Sequence, residues 1–294
     1  MTEFDDGRIE ELSPQKPPAI VLMAYGSLDP EARKIYENIR AAYRQKFPGS
    51  TVRTAFTADF IRRILAEKEG VEVDSPLAAL AELFDEGETD VVVQSLHVIP
   101  GSEFHDAASL VSALRSVRGK FGFRNLEMGP PLLATGRDFE AVSKALAPEF
   151  DRVTVGGEVA MRPRNPEDTA VVLMGHGTDH PADSAYSRMA RVLKRDHRNA
   201  FLGTIDGFPG LEEVMAEVRA ADVGRVRLLP FLLVAGGHAA KDLAGDDPRS
   251  WKSAFEGAGF EVEVLLRGMG ENSGVVEVFI EHTKQAIEGF RQTL

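Results

Sequence analysis

Eight apolar runs punctuate the chain, at residues 20–24, 51–57, 91–99, 126–128, 170–174, 201–205, 226–234 and 260–266. They are short, rich in Val, Ile and Leu, and several are bounded by glycine, the pattern of strands buried on both faces of a parallel sheet. Between them apolar residues recur at helical spacing, as in Ile35, Ile39 and Tyr43, or Leu211, Val214, Met215 and Val218. Strand and helix in alternation imply right-handed crossovers and parallel sheets. A last stripe of Val276, Phe279, Ile280, Thr283, Ile287 and Phe290 predicts a closing helix that packs one half of the chain onto the other.

The strands fall as four plus four around a polar segment, 156–168, that carries Pro163 and Pro166. The halves also resemble each other: 21–27 lines up with 172–178, 57–60 with 204–207, and 97–103 with 232–238. The expected organisation is an N-terminal arm (1–18), an α/β domain (19–155), a linker (156–168) and a second α/β domain (169–294). Both domains are expected to be Rossmann-like, with four-stranded parallel sheets flanked by helices and a site in the cleft between them.

That alignment pairs Tyr25 with His176, Asp59 with Asp206 and Glu103 with His238. Each follows an apolar run, so all six are expected to line the cleft. His176 stands in Gly175-His176-Gly177-Thr178 and His238 in Ala235-Gly236-Gly237-His238. The second half thus offers His, Asp and His, a set suited to a divalent transition metal with coordination positions left open. The first half offers no second imidazole site, so the cleft is chemically asymmetric. Other readings compete. Asp206 could instead cap the helix beginning near Pro209, and Asp59 reads more simply as structural. His97 falls near the cleft and His105 on the first turn of the next helix. His180 either lines the site or caps a helix. His197, in a charged run, and His282, in the last helix, read as solvent-facing. The N–H groups around Gly101, Ser102, Gly236 and Gly237 are candidate anion donors, as is the side chain of Lys241.

Composition narrows the chemistry. The 294 residues are 43% hydrophobic and 27% charged, as in a soluble globular protein, and no apolar run reaches the ~20 residues of a membrane span. The acidic N-terminus lacks a basic and then apolar leader, which makes the cytoplasm the expected compartment. Zero cysteines exclude disulfides and thiolate metal sites. A net charge of −12 argues against a nucleic-acid partner.

The segments 171–188, 96–103, 203–209 and 234–239 together resemble the anaerobic sirohydrochlorin cobaltochelatases, the CbiK type of class II chelatase, akin to ferrochelatase. The resemblance extends from about Pro18 to the last helix. It implies two ferrochelatase-type α/β domains and a metal site of two histidines and an acidic residue, which map onto His176, His238 and Asp206. Where this chain has Asp206 the family pattern carries glutamate. Glu103 matches an acidic active-site position after a Pro-Gly turn. The implied reaction inserts cobalt(II) into sirohydrochlorin with release of two protons, His176 acting as ligand and principal base, His238 as second ligand and Glu103 as relay. Tyr25, Ser27, His97, Gly101, Ser102, Thr178, Gly236 and Gly237 are the implied substrate contacts. No organic cofactor is implied, cobalt being a substrate, and neither nucleic acid nor membrane is an expected partner. A homo-oligomer is left open. Iron or nickel in place of cobalt, and a non-catalytic two-domain metal- or tetrapyrrole-binding protein, stand as alternatives.

Overall fold

In a computed structural model, residues 16–150, 169–237 and 239–290 are described in full, and 152–155 and 158–161 by their backbone. The first half contributes strands β1 (Ala19–Ala24), β2 (Val52–Phe56), β3 (Asp90–Ser95) and β4 (Asn125–Gly129), all parallel and ordered β2-β1-β3-β4. Helices α1 (Pro30–Lys46), α2 (Asp59–Glu69), α3 (Pro76–Asp85), α4 (Ser102–Ser116) and α5 (Gly136–Phe150) connect or follow them. An antiparallel hairpin follows, β5 (Arg152–Val155) with β6 (Glu158–Met161). Residues 158–161 are therefore strand within the segment expected as linker. The arm expected at 1–18 lies outside the described residues as far as residue 15.

The second half repeats the plan. Strands β7 (Thr169–Gly175), β8 (Ala200–Thr204), β9 (Arg225–Pro230) and β10 (Glu261–Val264) order as β8-β7-β9-β10, the same sequence of second, first, third and fourth strand. Its helices are α6 (Ser184–Asp196), α7 (Leu211–Ala220), α8 (Trp251–Gly257) and α9 (Ser273–Phe290). Alternation along the strands explains why the runs are apolar throughout. Ile20, Leu22 and Ala24 of β1 face one cluster, with α1, α2, α5 and α9, while Ala19, Val21 and Met23 face another, with α3 and α4. In β7, Val171 and Leu173 join the first cluster, and Ala170, Val172 and Met174 pack with Val214, Val218, Trp251 and Phe255. The first cluster thus runs continuously through both halves.

Helix α9 leaves the second half and packs on β3, β4 and α5 of the first. Thr283 donates to Gln94 Oε1 at 2.9 Å and lies 3.1 Å from the Tyr43 hydroxyl. His282 is buried here, not solvent-facing as its place in the sequence suggested. Its Nδ1 meets the Pro130 carbonyl at 3.2 Å and its Nε2 meets Asp138 Oδ1 at 3.1 Å. His197 also departs from the solvent-facing expectation, its ring edge packing on Phe150 and its Nε2 donating to the Ser143 carbonyl.

Candidate functional site

The carboxyl ends of the central strands open into one cavity of about 1000 Å³, lined by residues of both halves. Its size is at the upper end of small-ligand pockets, which run to roughly 1,000 Å³. On the second-half wall, β7 ends at Gly175 and the chain turns through His176, Gly177 and Thr178. Gly177 has φ +81°, and a Cβ there would lie 2.5 Å from Gly207 N. This close approach lets the Asp206 and Ile205 N–H groups donate to the His176 carbonyl at 2.8 and 3.1 Å. Asp183 locks the two loops further, accepting from Thr178 N at 3.1 Å and from Phe208 N at 2.8 Å.

The result sets Asp206 Oδ2 3.9 Å from His176 Nδ1, with side chains 64% and 46% exposed, so both are open to a ligand. His176 Nδ1 donates to the Gly177 carbonyl at 3.1 Å, the kind of second hydrogen bond that selects which ring nitrogen binds a metal. Asp206 caps no helix: α7 begins after Gly210, whose N–H is met by Glu213 at 2.9 Å. The capping alternative for Asp206 is removed. His238 lies outside the described residues.

On the first-half wall stand Tyr25, Ser27, His97, Gly101, Ser102 and Glu103, all lining the same cavity, as do Thr178, Gly236, Gly237 and Lys241 from the second half. The Tyr25 hydroxyl is pushed above the usual tyrosine range, first by burial and then by the charge of Glu103. Ser27 is buried, its hydroxyl accepting from Asp29 N at 3.1 Å. Burial drives His97 down to about 4, which keeps its ring neutral. Its Nδ1 lies 3.0 Å from the Ser95 hydroxyl. Residues Gly101 to Phe104 bring the N-terminus of α4 to the cavity; the Gly101 N–H donates to the Ile99 carbonyl at 2.9 Å, and the first-turn N–H groups that follow, with the helix dipole, favour an anion.

Asp59 does not reach the cavity. It pairs with Arg62 and Arg63 on the outer face of α2. The cause is a one-residue offset between the halves. Ala24 pairs with Phe56 in the first sheet, Gly175 with Thr204 in the second. Ala58 N then donates to the Tyr25 carbonyl as Asp206 N does to that of His176. The counterpart of Asp206 is Ala58, and Asp59 already belongs to the helix. Phe60, Asp179, Asp183 and Asp242 were not signalled by the sequence. Phe60, Asp179 and Asp242 line the cavity. An exposed Phe beside an apolar run and Asp residues in polar turns look alike whether or not they face a ligand. His180 accepts from Ala182 N at 3.1 Å, capping the short turn before α6, and its ring lies 5.3 Å from that of His105.

Among the described cavity-lining side chains, Asp29, Glu103, Asp179, Asp206 and Asp242 stand against Lys241 alone, a lining that attracts cations. The fold and the site define a protein of two like α/β halves with an acidic, imidazole-bearing ligand cleft between them. The family model for cobalt chelatase (CbiK) matches residues 18–288, and the chain belongs to that family. It is 37% identical over 286 residues to the sirohydrochlorin cobaltochelatase CbiKC of Nitratidesulfovibrio vulgaris, covering 96% of each chain. It is 34% identical to the sirohydrochlorin cobaltochelatase of Salmonella typhimurium, covering 79% of this chain and 82% of that one. Among solved structures, the sirohydrochlorin chelatase SirB of Bacillus subtilis subspecies spizizenii in complex with cobalt shares the fold. Its TM-score is 0.58 at 16% identity, over 92% of this chain and 96% of that one.

Proposed function

We propose that the protein is a sirohydrochlorin cobaltochelatase, inserting cobalt(II) into the metal-free macrocycle with loss of two pyrrole protons, in anaerobic cobalamin biosynthesis. The observation that carries the reading is the His176–Asp206 pair, 3.9 Å apart and open to a cavity of tetrapyrrole size. His176 binds cobalt through Nε2, and Asp206, one methylene shorter than a glutamate, reaches the ion through a bridging water. His238 is the third proposed ligand. Neutral imidazole both ligates metal and accepts a proton, so His176 is also the proposed base, with Glu103 carrying protons from the opposite wall. The polycarboxylate rim of the substrate is met by the α4 N-terminus at Gly101 and Ser102, by the N–H groups of Gly236 and Gly237, and by Thr178 and Lys241. Tyr25, Ser27 and His97 are the proposed contacts on the first-half wall. No organic cofactor enters the reaction, and the cytoplasm is its proposed compartment.

The test is direct. Protein, sirohydrochlorin and cobalt(II) are mixed anaerobically and the visible spectrum is followed for turnover, with iron(II) and nickel(II) in parallel. Multiple turnovers with cobalt, lost in His176→Ala at unchanged melting temperature, are expected. Stoichiometric binding without turnover would leave a carrier, and faster iron insertion would change the metal assigned.

A further inference from the structure

Three large apolar side chains on the first-half wall are exposed into the cavity: Tyr25 (44%), Leu28 (38%) and Phe60 (46%). Exposed apolar groups clustered at a cavity mark a ligand surface. Phe60 is not needed by the fold. Helix α2 uses Ile61 and Leu65 for its core face, while Asp59, Arg62 and Arg63 pair with one another outside. The Phe60 ring meets Tyr25 edge-on, centroids 6.3 Å apart and planes at 62°, so one aromatic face remains for a third flat partner. The second-half lining is different in kind: Asp206 stands 3.9 Å from His176 there, and Asp179 and Asp242 line the same cavity. An apolar macrocycle face gains nothing against carboxylates, whereas a dication does.

We propose that Phe60, with Tyr25 and Leu28, forms the shelf on which one face of the tetrapyrrole lies, so that the metal enters only through the opposite face. Phe60 is a positioning residue, holding the ring plane while His176 and the acidic wall deliver the ion. The proposal rests on the function proposed above.

Binding of metal-free sirohydrochlorin and of cobalt(II) is measured separately, so the two ideas fail separately. If wild-type protein does not bind the macrocycle, the functional reading falls. Given wild-type binding, Phe60→Ala should weaken macrocycle affinity roughly tenfold, from the loss of an aromatic contact and its buried area. Cobalt affinity and melting temperature should stay as in wild type, which a structural role for Phe60 would not allow. Phe60→Trp should restore affinity, and its added indole should be quenched when the macrocycle binds; the one native tryptophan, Trp251, is buried in the second half. Unchanged macrocycle affinity in Phe60→Ala, or an unquenched Trp in Phe60→Trp, overturns the shelf.

Discussion

Replacing Gly177 by alanine tests how the fold sets the spacing of the candidate metal ligands. The residue sits at φ +81°, where an L side chain costs roughly 1–2 kcal/mol. Its Cβ would also lie 2.5 Å from Gly207 N, 2.8 Å from the Asp206 carbonyl carbon and 2.9 Å from Thr204 Cβ. The first two are backbone and cannot rotate away. Forcing a methyl group into such a site costs about 1–3 kcal/mol more, so the total is about 2–5 kcal/mol. At about 2 °C per kcal/mol for a chain of this size, melting should fall by about 4–10 °C. The same clash must part the His176 and Asp206 turns by roughly 0.6–1 Å to reach ordinary contact distances. That exceeds the ~0.2 Å tolerance of metal–ligand distances, so cobalt affinity should fall together with stability. Thermal melts of the metal-free variant and a cobalt titration measure the two effects. A variant that melts within about 1 °C of wild type and titrates identically would refute the claim that Gly177 holds the two turns together.

Because Asp206 caps no helix, Asp206→Ala should leave the melt unchanged while weakening cobalt binding about 10–100-fold, and Asp206→Glu should equal or exceed wild type. Unchanged affinity in the alanine variant would exclude a metal role. Asp138→Ala removes one partner of the buried pair with His282 and should cost on the order of 3 kcal/mol in urea unfolding at neutral pH. Burial alone would raise the Asp138 carboxyl, but the hydrogen bonds from His282 and Thr135 outweigh it and hold the group below the usual aspartate range. Its stabilisation is therefore complete above the unfolded value near ~3.9 and is lost as pH falls through the lower folded value. Wild type should lose this increment on acidification and Asp138→Ala should not; parallel pH–stability curves would contradict the assignment. The His97 ring should stay neutral until about pH 4 in an NMR titration of its ring carbons, and a midpoint near that of free histidine would show the ring to be hydrated.

Much of this protein was legible before any coordinates. A strand buried on both faces favours apolar residues along its whole length, so β1 and β7 announce themselves as near-continuous runs, and parallel pairing follows from the helices between the strands. Gly175-His176-Gly177 was legible because a histidine between glycines at a strand end has few uses in a core. The carboxylate pairing was not legible, because periodicity does not encode register. One residue of offset between β2 and β8 exchanges Ala58 for Asp59, and with it a cleft residue for a surface ion pair. Nor could local pattern place His282 or Phe60. The histidine is buried because α9 crosses to the other half and meets Asp138, 144 residues away. The phenylalanine is exposed because α2 spends its apolar face on its neighbours. Composition and periodicity report what a segment needs to bury; which partner it meets is a long-range choice, made only when the two halves close on a shared core.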